Sequence, residues 1–150
     1  MSRIDARLQE LGITLPRSSA PAGKYANAVI VNGMMYVSGK GPKTEERGKL
    51  GTKFSTEQGY DFARDAGIEV LAVVRDVLGS LDRVKQVVKI QGFINASASY
   101  QEHHMVLNGC SDLMLDVFGE KGIHARSVLG AVSVRDHLPL IIDSIFHVEA

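Results

Sequence analysis

AVIVNGMMYV, residues 28–37, is the stretch whose reading decides the fold class. Two apolar runs flank Asn32-Gly33, and both turn residues tolerate positive φ. The segment therefore predicts a two-residue β-hairpin with strands at about 27–31 and 34–38. Toward the C-terminus, Ser55 and Gln58 stand in capping-box spacing. Tyr60, Ala63, Gly67, Leu71, Val74 and Leu78 then follow at steps of three and four, one helical stripe stopped by Gly79. Residues 84–94, rich in Val and Ile, predict a strand. Ser99 and Glu102 suggest a second capping box, Val106, Cys110, Leu113 and Val117 a second apolar stripe, and Gly119 its end. Two last strands are expected at about 126–134 and 138–148, the final one alternating Leu138, Leu140, Ile142, Phe146 and Val148 onto one face. Toward the N-terminus, Ile4, Leu8 and Leu11 predict a short helix over 3–11, and Pro16, Pro21 and Gly23 a loop over 16–24. The order β-β-α-β-α-β-β predicts an α+β domain, a mixed β-sheet with two long helices packed on one face. Ile141 and Ile145 make the last strand apolar on its other face too, which suggests that a partner subunit covers it.

At 150 residues and 16.3 kDa, the chain has the size of one domain, residues 1–150. With 45 % apolar and 23 % charged residues it excludes wholesale disorder. Seventeen Lys and Arg balance seventeen Asp and Glu, and zero net charge makes a nucleic-acid partner unlikely to be held by bulk electrostatics. A single cysteine, Cys110, excludes an intrachain disulfide and fits a reducing compartment. Residues 1–15 carry charges throughout and lack the apolar core of a secretory signal, and no run is long enough for a membrane span. A cytoplasmic location is the expectation.

Few residues promise chemistry. His103 and His104 are adjacent, so on a helix they point about 100° apart and do not converge on one metal. With His124, His137 and His147 they show no paired ligand spacing, and no metal site is expected. Cys110 falls on an apolar helix stripe, which predicts a buried, inert thiol. Residues 39–54, with five Lys or Arg, two Glu and four glycines, predict a mobile, solvated connection rather than a phosphate loop. Arg126 stands out, because it opens a strand of apolar and small residues. It either grips a small acid through parallel N–H···O bonds or forms a structural salt bridge to Asp143, Asp112 or Glu120.

The stretches ARLQELGITLP (6–16), APAGKYANAV (20–29), GMMYVSGKGP (33–42), LGSLDRVKQVVKIQGFINASASY (78–100) and NGCSDLMLDVFGEKGIHARSVLGA (108–131) occur in an order that resembles the Rid (YjgF) family, in particular its longer subgroup. That family includes imine deaminases and proteins called endoribonuclease L-PSP. The resemblance implies a chorismate-mutase-like fold and a homotrimer with inter-subunit clefts. It also implies a substrate that is a small carboxylate-bearing metabolite, with no cofactor. It places Tyr25, Ser38, Gly39 and Asn108 in the cleft and gives Arg126 the substrate carboxylate. Deaminase members carry a glutamate fifteen residues after that arginine, where this chain has Ile141, and often a cysteine two residues after it, where this chain has Val128. Glu120, His124 or Asp143 could orient water instead, Glu120 first because it lies in the block leading to the arginine. The implied activity is hydrolysis of 2-imino acids of the 2-aminoacrylate type to 2-keto acids and ammonia. The alternatives are a non-catalytic carboxylate-binding regulatory trimer and an endoribonuclease.

Overall fold

The computed structural model describes residues 2–149. The hairpin forms as the sequence dictates: β1 (Ala28–Val31) and β2 (Met34–Lys40) pair antiparallel with Val31 opposite Met34. Asn32 and Gly33 turn the chain with φ of 51° and 77°, the double left-handed conformation of a type I′ turn. A helix, α1 (Arg3–Glu10), precedes it and buries Ile4 and Leu8. The long helix α2 (Thr56–Leu78) begins at the Ser55–Gln58 capping box and ends at Gly79 with φ 86°. It is followed by β3 (Val84–Asn95), α3 (His103–Phe118), β4 (Ala125–Ala131) and β5 (Leu140–Val148).

The five strands form one sheet in the order β1-β2-β5-β3-β4, in which only β3 and β4 run parallel, joined across α3. Helices α2 and α3 lie against each other so closely that a Cβ on Gly109 would sit 2.0 Å from the Tyr60 carbonyl oxygen. On β5, Leu140, Ile142, Ser144, Phe146 and Val148 are buried, whereas Ile141, Asp143, Ile145 and His147 are half-buried. That period of two marks one face closed by the helices and one face left open. The closed face and the helices supply the core, including Phe146, Ile90, Ile94, Leu71 and Met114.

Several expectations need correction. Ser99 does not cap α3, because the helix begins at His103 with Glu102 as its N-cap and no side-chain cap bond. Residues 39–54 are not a mobile, solvated connection: Leu50 is fully buried, Phe54 is buried, and Leu50 bridges both Phe54 and Ala96. Lys40 ends β2 as a buried residue. The last two strands stop at Ala131 and start at Leu140. Between them Asp136 and His137 take φ of 54° and 56°, which no strand can accommodate. The Asn95 side-chain amide donates to the Leu138 carbonyl at 3.0 Å and holds that turn. No helix among the described residues is long and apolar enough to cross a membrane.

Candidate carboxylate-binding site

Arg126 lies in β4 opposite Ile90, whose side chain is fully buried under the helices, so the arginine is on the closed side of the sheet near its edge. Its Nη1 donates to Ser111 Oγ at 3.1 Å and its Nη2 to the His104 carbonyl at 3.0 Å, both on α3. His124 completes the group: Nδ1 lies 2.6 Å from the Gly122 carbonyl and Nε2 2.9 Å from Ser111 Oγ. A carbonyl can only accept, so Nδ1 carries the proton. In the neutral ring, Nε2 then accepts from the Ser111 hydroxyl, and Ser111 in turn accepts from Arg126. Arg126 forms no ion pair with any described carboxylate. Of the partners expected from the sequence, Asp112 instead accepts the Tyr60 hydroxyl at 2.6 Å and raises that phenol's pKa, and Asp143 lies on the open face. The salt-bridge reading of Arg126 therefore fails, and part of its five-donor fork has no acceptor among the described residues.

Asn108 lies one turn after His104 and three residues before Ser111, on the same side of α3. It is exposed and lines a hollow of about 430 Å³ with Thr56, Tyr60, Asp61 and Met105. Glu120 is elsewhere: it borders a hollow of about 550 Å³ with Arg3, Arg7, Asp116 and Lys121, against α1.

Tyr25, Ser38 and Gly39 form a second cluster at the other side of the sheet. Ser38 donates its hydroxyl to the Ala26 carbonyl at 2.7 Å and its N–H to the Asn27 carbonyl at 2.8 Å, which ties the loop carrying Tyr25 to β2. Tyr25 is exposed, and its hydroxyl accepts the Ala22 N–H at 3.1 Å. Lys40 braces the same loop, with Nζ donating to the Ser19 carbonyl, Ser19 Oγ and Asn27 Oδ1 at 2.8–3.2 Å. Burial lowers the Lys40 pKa and raises that of Glu69. Gly39 touches Ile141 so closely that a Cβ would fall 2.7 Å from its Cγ2. Ile141 pairs with Phe93 and shares the open face with Asp143, whose pKa burial pushes up. Two strands, β5 and β3, separate β2 from β4, a span of roughly 14 Å at the usual strand spacing.

The sequence reading missed Ser111, the His104 carbonyl and Lys40 as structural partners. Ser111 stands seven residues after His104, a helical repeat that a search around Arg126 would have found, but a backbone acceptor carries no sequence signal. Cys110 is fully buried and its thiol is pushed up to about 12 by desolvation, so it is not a nucleophile.

Residues 5–143 match the protein family described as "YjgF/chorismate mutase-like, putative endoribonuclease". The chain belongs to the Rid/YjgF family. Protein TCP17 of Trypanosoma cruzi is 42 % identical over 137 residues, covering 88 % of this chain and 86 % of that protein. The crystal structure of a "putative endoribonuclease" from Shewanella oneidensis superposes with a TM-score of 0.94 at 28 % identity, covering 98 % and 100 % of the two chains. Escherichia coli TdcF, crystallised with bound serine, shares the Rid/YjgF fold at a TM-score of 0.59 and 20 % identity over 89 % and 94 % of the chains.

Proposed function

We propose that the protein binds small 2-imino acids through Arg126 and hydrolyses them to 2-keto acids and ammonia. Arg126 carries this reading: a guanidinium oriented by Ser111 and the His104 carbonyl, with no carboxylate partner among the described residues, supports recognition of a carboxylate from outside. The serine bound to TdcF, itself a small carboxylate, supports the same class of ligand. In the reaction, water adds to the C=N carbon, a proton passes to nitrogen, and the C–N bond breaks to leave the keto acid and ammonia. No cofactor enters this balance. His124, joined to Arg126 through Ser111, is the acid–base group that the hydrogen-bond network links to the clamp. Glu120 borders a different hollow of the same chain and would serve that site only from a neighbouring subunit.

The two half-sites belong to one cleft if Arg126 of one subunit faces Tyr25, Ser38 and Gly39 of another. The exposure of Val29, Val31, Tyr36 and Leu129 supports a homotrimer that covers the open face. A reducing, cytoplasmic setting suits the buried, unpaired Cys110. Ile141 favours a second reading, a regulatory trimer that binds the acid without turning it over. Incubation with freshly generated 2-iminobutanoate separates the two. Ammonia release above the buffer rate supports hydrolysis, the buffer rate with retained 2-oxobutanoate binding supports the regulatory trimer, and neither release nor binding overturns both.

A further inference from the structure

Beside Gly39 the open face holds a second arginine that the Arg126 site does not use. Arg135 lines a hollow of about 290 Å³ with Phe93, Ala131, Ser133, Val134 and Ile141. Ile141 is the residue against which Gly39 packs, so one wall of this hollow also touches the strand that carries Ser38 and Gly39. The turn that carries Arg135 is fixed in place. Asp136 and His137 hold left-handed backbone conformations that non-glycine residues adopt at a cost. The Gly48 N–H binds the His137 carbonyl at 3.0 Å, and the fully buried Asn95 amide binds the Leu138 carbonyl at 3.0 Å. The only ion partner of Arg135 among the described residues is its neighbour Asp136, at 3.2 Å and largely exposed, a weak tie in water. The charge of Arg135 reaches inward as well, since it helps to depress the pKa of Lys40, next to Gly39. A hollow lined by one arginine together with Phe93, Val134 and Ile141 suits a carboxylate on a short aliphatic stem.

We infer that Arg135 receives a second carboxylate at the Gly39–Ile141 end of the site, so that the substrate class is a 2-imino dicarboxylic acid. This rests on the reading of Arg126 and Gly39 as two halves of one cleft. Ile141 then has a function of its own: a glutamate there would repel the acid that Arg135 attracts.

Calorimetric titration of the full chain with 2-oxobutanoate and 2-oxoglutarate tests the inference, with Arg135→Ala and Arg135→Lys beside the parent. The parent should bind 2-oxoglutarate about tenfold or more tighter than 2-oxobutanoate, the scale of a charge-assisted pair. In Arg135→Ala the ratio should fall to about one, and Arg135→Lys should keep part of it. Binding of both acids with no preference, or a preference that survives Arg135→Ala, overturns the inference and leaves the Arg126 reading standing. If neither acid binds the parent, the Arg126 reading fails and this one with it.

Discussion

The two faces of the sheet are built from the same five strands and read almost alike in sequence, yet they do different work. On the closed face Leu140, Ile142 and Phe146 are fully buried against α2 and α3. On the open face Ile141 and Ile145 sit among Lys89, Gln91 and Asp143, with exposed Val29, Val31 and Tyr36 beyond them. The closed face is finished within the chain. The open face keeps both its apolar surface and its charges uncovered by the helices. Apolar character alone does not distinguish them, and what decides is which face the helices cover.

Truncation should expose that difference most. Phe146→Ala removes a fully buried ring and should cost about 3–5 kcal/mol of unfolding free energy, whereas Ile145→Ala should cost no more than about 1 kcal/mol at concentrations where the chain is monomeric. Equal losses in urea denaturation would erase the distinction between the faces. Ile141→Glu sharpens it chemically. If the missing carboxylate limits water activation, imine hydrolysis should rise by about 10²- to 10⁴-fold with little change in affinity for a monocarboxylate. No gain in a folded variant whose parent hydrolyses the imine would show that the carboxylate at this position does not limit the reaction.

Gly33→Val probes the open edge. A β-branched residue at φ 77° should lower stability by about 1–2 kcal/mol, read from the shift in thermal midpoint, and an unchanged midpoint would argue against the I′ turn. The smallest effect is expected at Asp76, which accepts the Ser18 N–H at 2.9 Å and also pairs with Arg75. The Ser18 bond foremost holds its pKa down to about 2, below the ordinary 3.8. A depressed carboxylate stabilises the fold above its unfolded pKa, and that contribution is lost as pH falls through the folded value. Acid titration should therefore show the parent losing stability between about pH 4 and pH 2 more steeply than Asp76→Asn. Parallel curves would contradict the bond.

The hairpin, α2 and β5 were legible because each rests on local chemistry: the Asn32-Gly33 turn, the Ser55–Gln58 box and strict alternation on the last strand. The start of α3 was misread because Ser99 offers the composition of a cap without its geometry. The packing of residues 39–54 was hidden for a different reason. Leu50 and Lys40 are buried by contacts far away in sequence, with Ala96, Ser19 and Asn27, which no window over a glycine-rich polar stretch contains. The site shows the same division. Arg126 was conspicuous as a charge among small residues, and its lack of an ion pair among the described residues became visible only once Asp112, Asp143 and Glu120 had their places.

Calorimetric titration of 2-oxobutanoate into the parent and Arg126→Lys addresses the central claim directly, with a thermal melt to show that both are folded. A lysine ammonium cannot reproduce the planar fork. Loss of a charge-assisted bond worth about 1.5–3 kcal/mol should therefore weaken binding by roughly 10- to 150-fold. Equal affinity in the two folded proteins would show that Arg126 only ties β4 to α3, and would contradict the account.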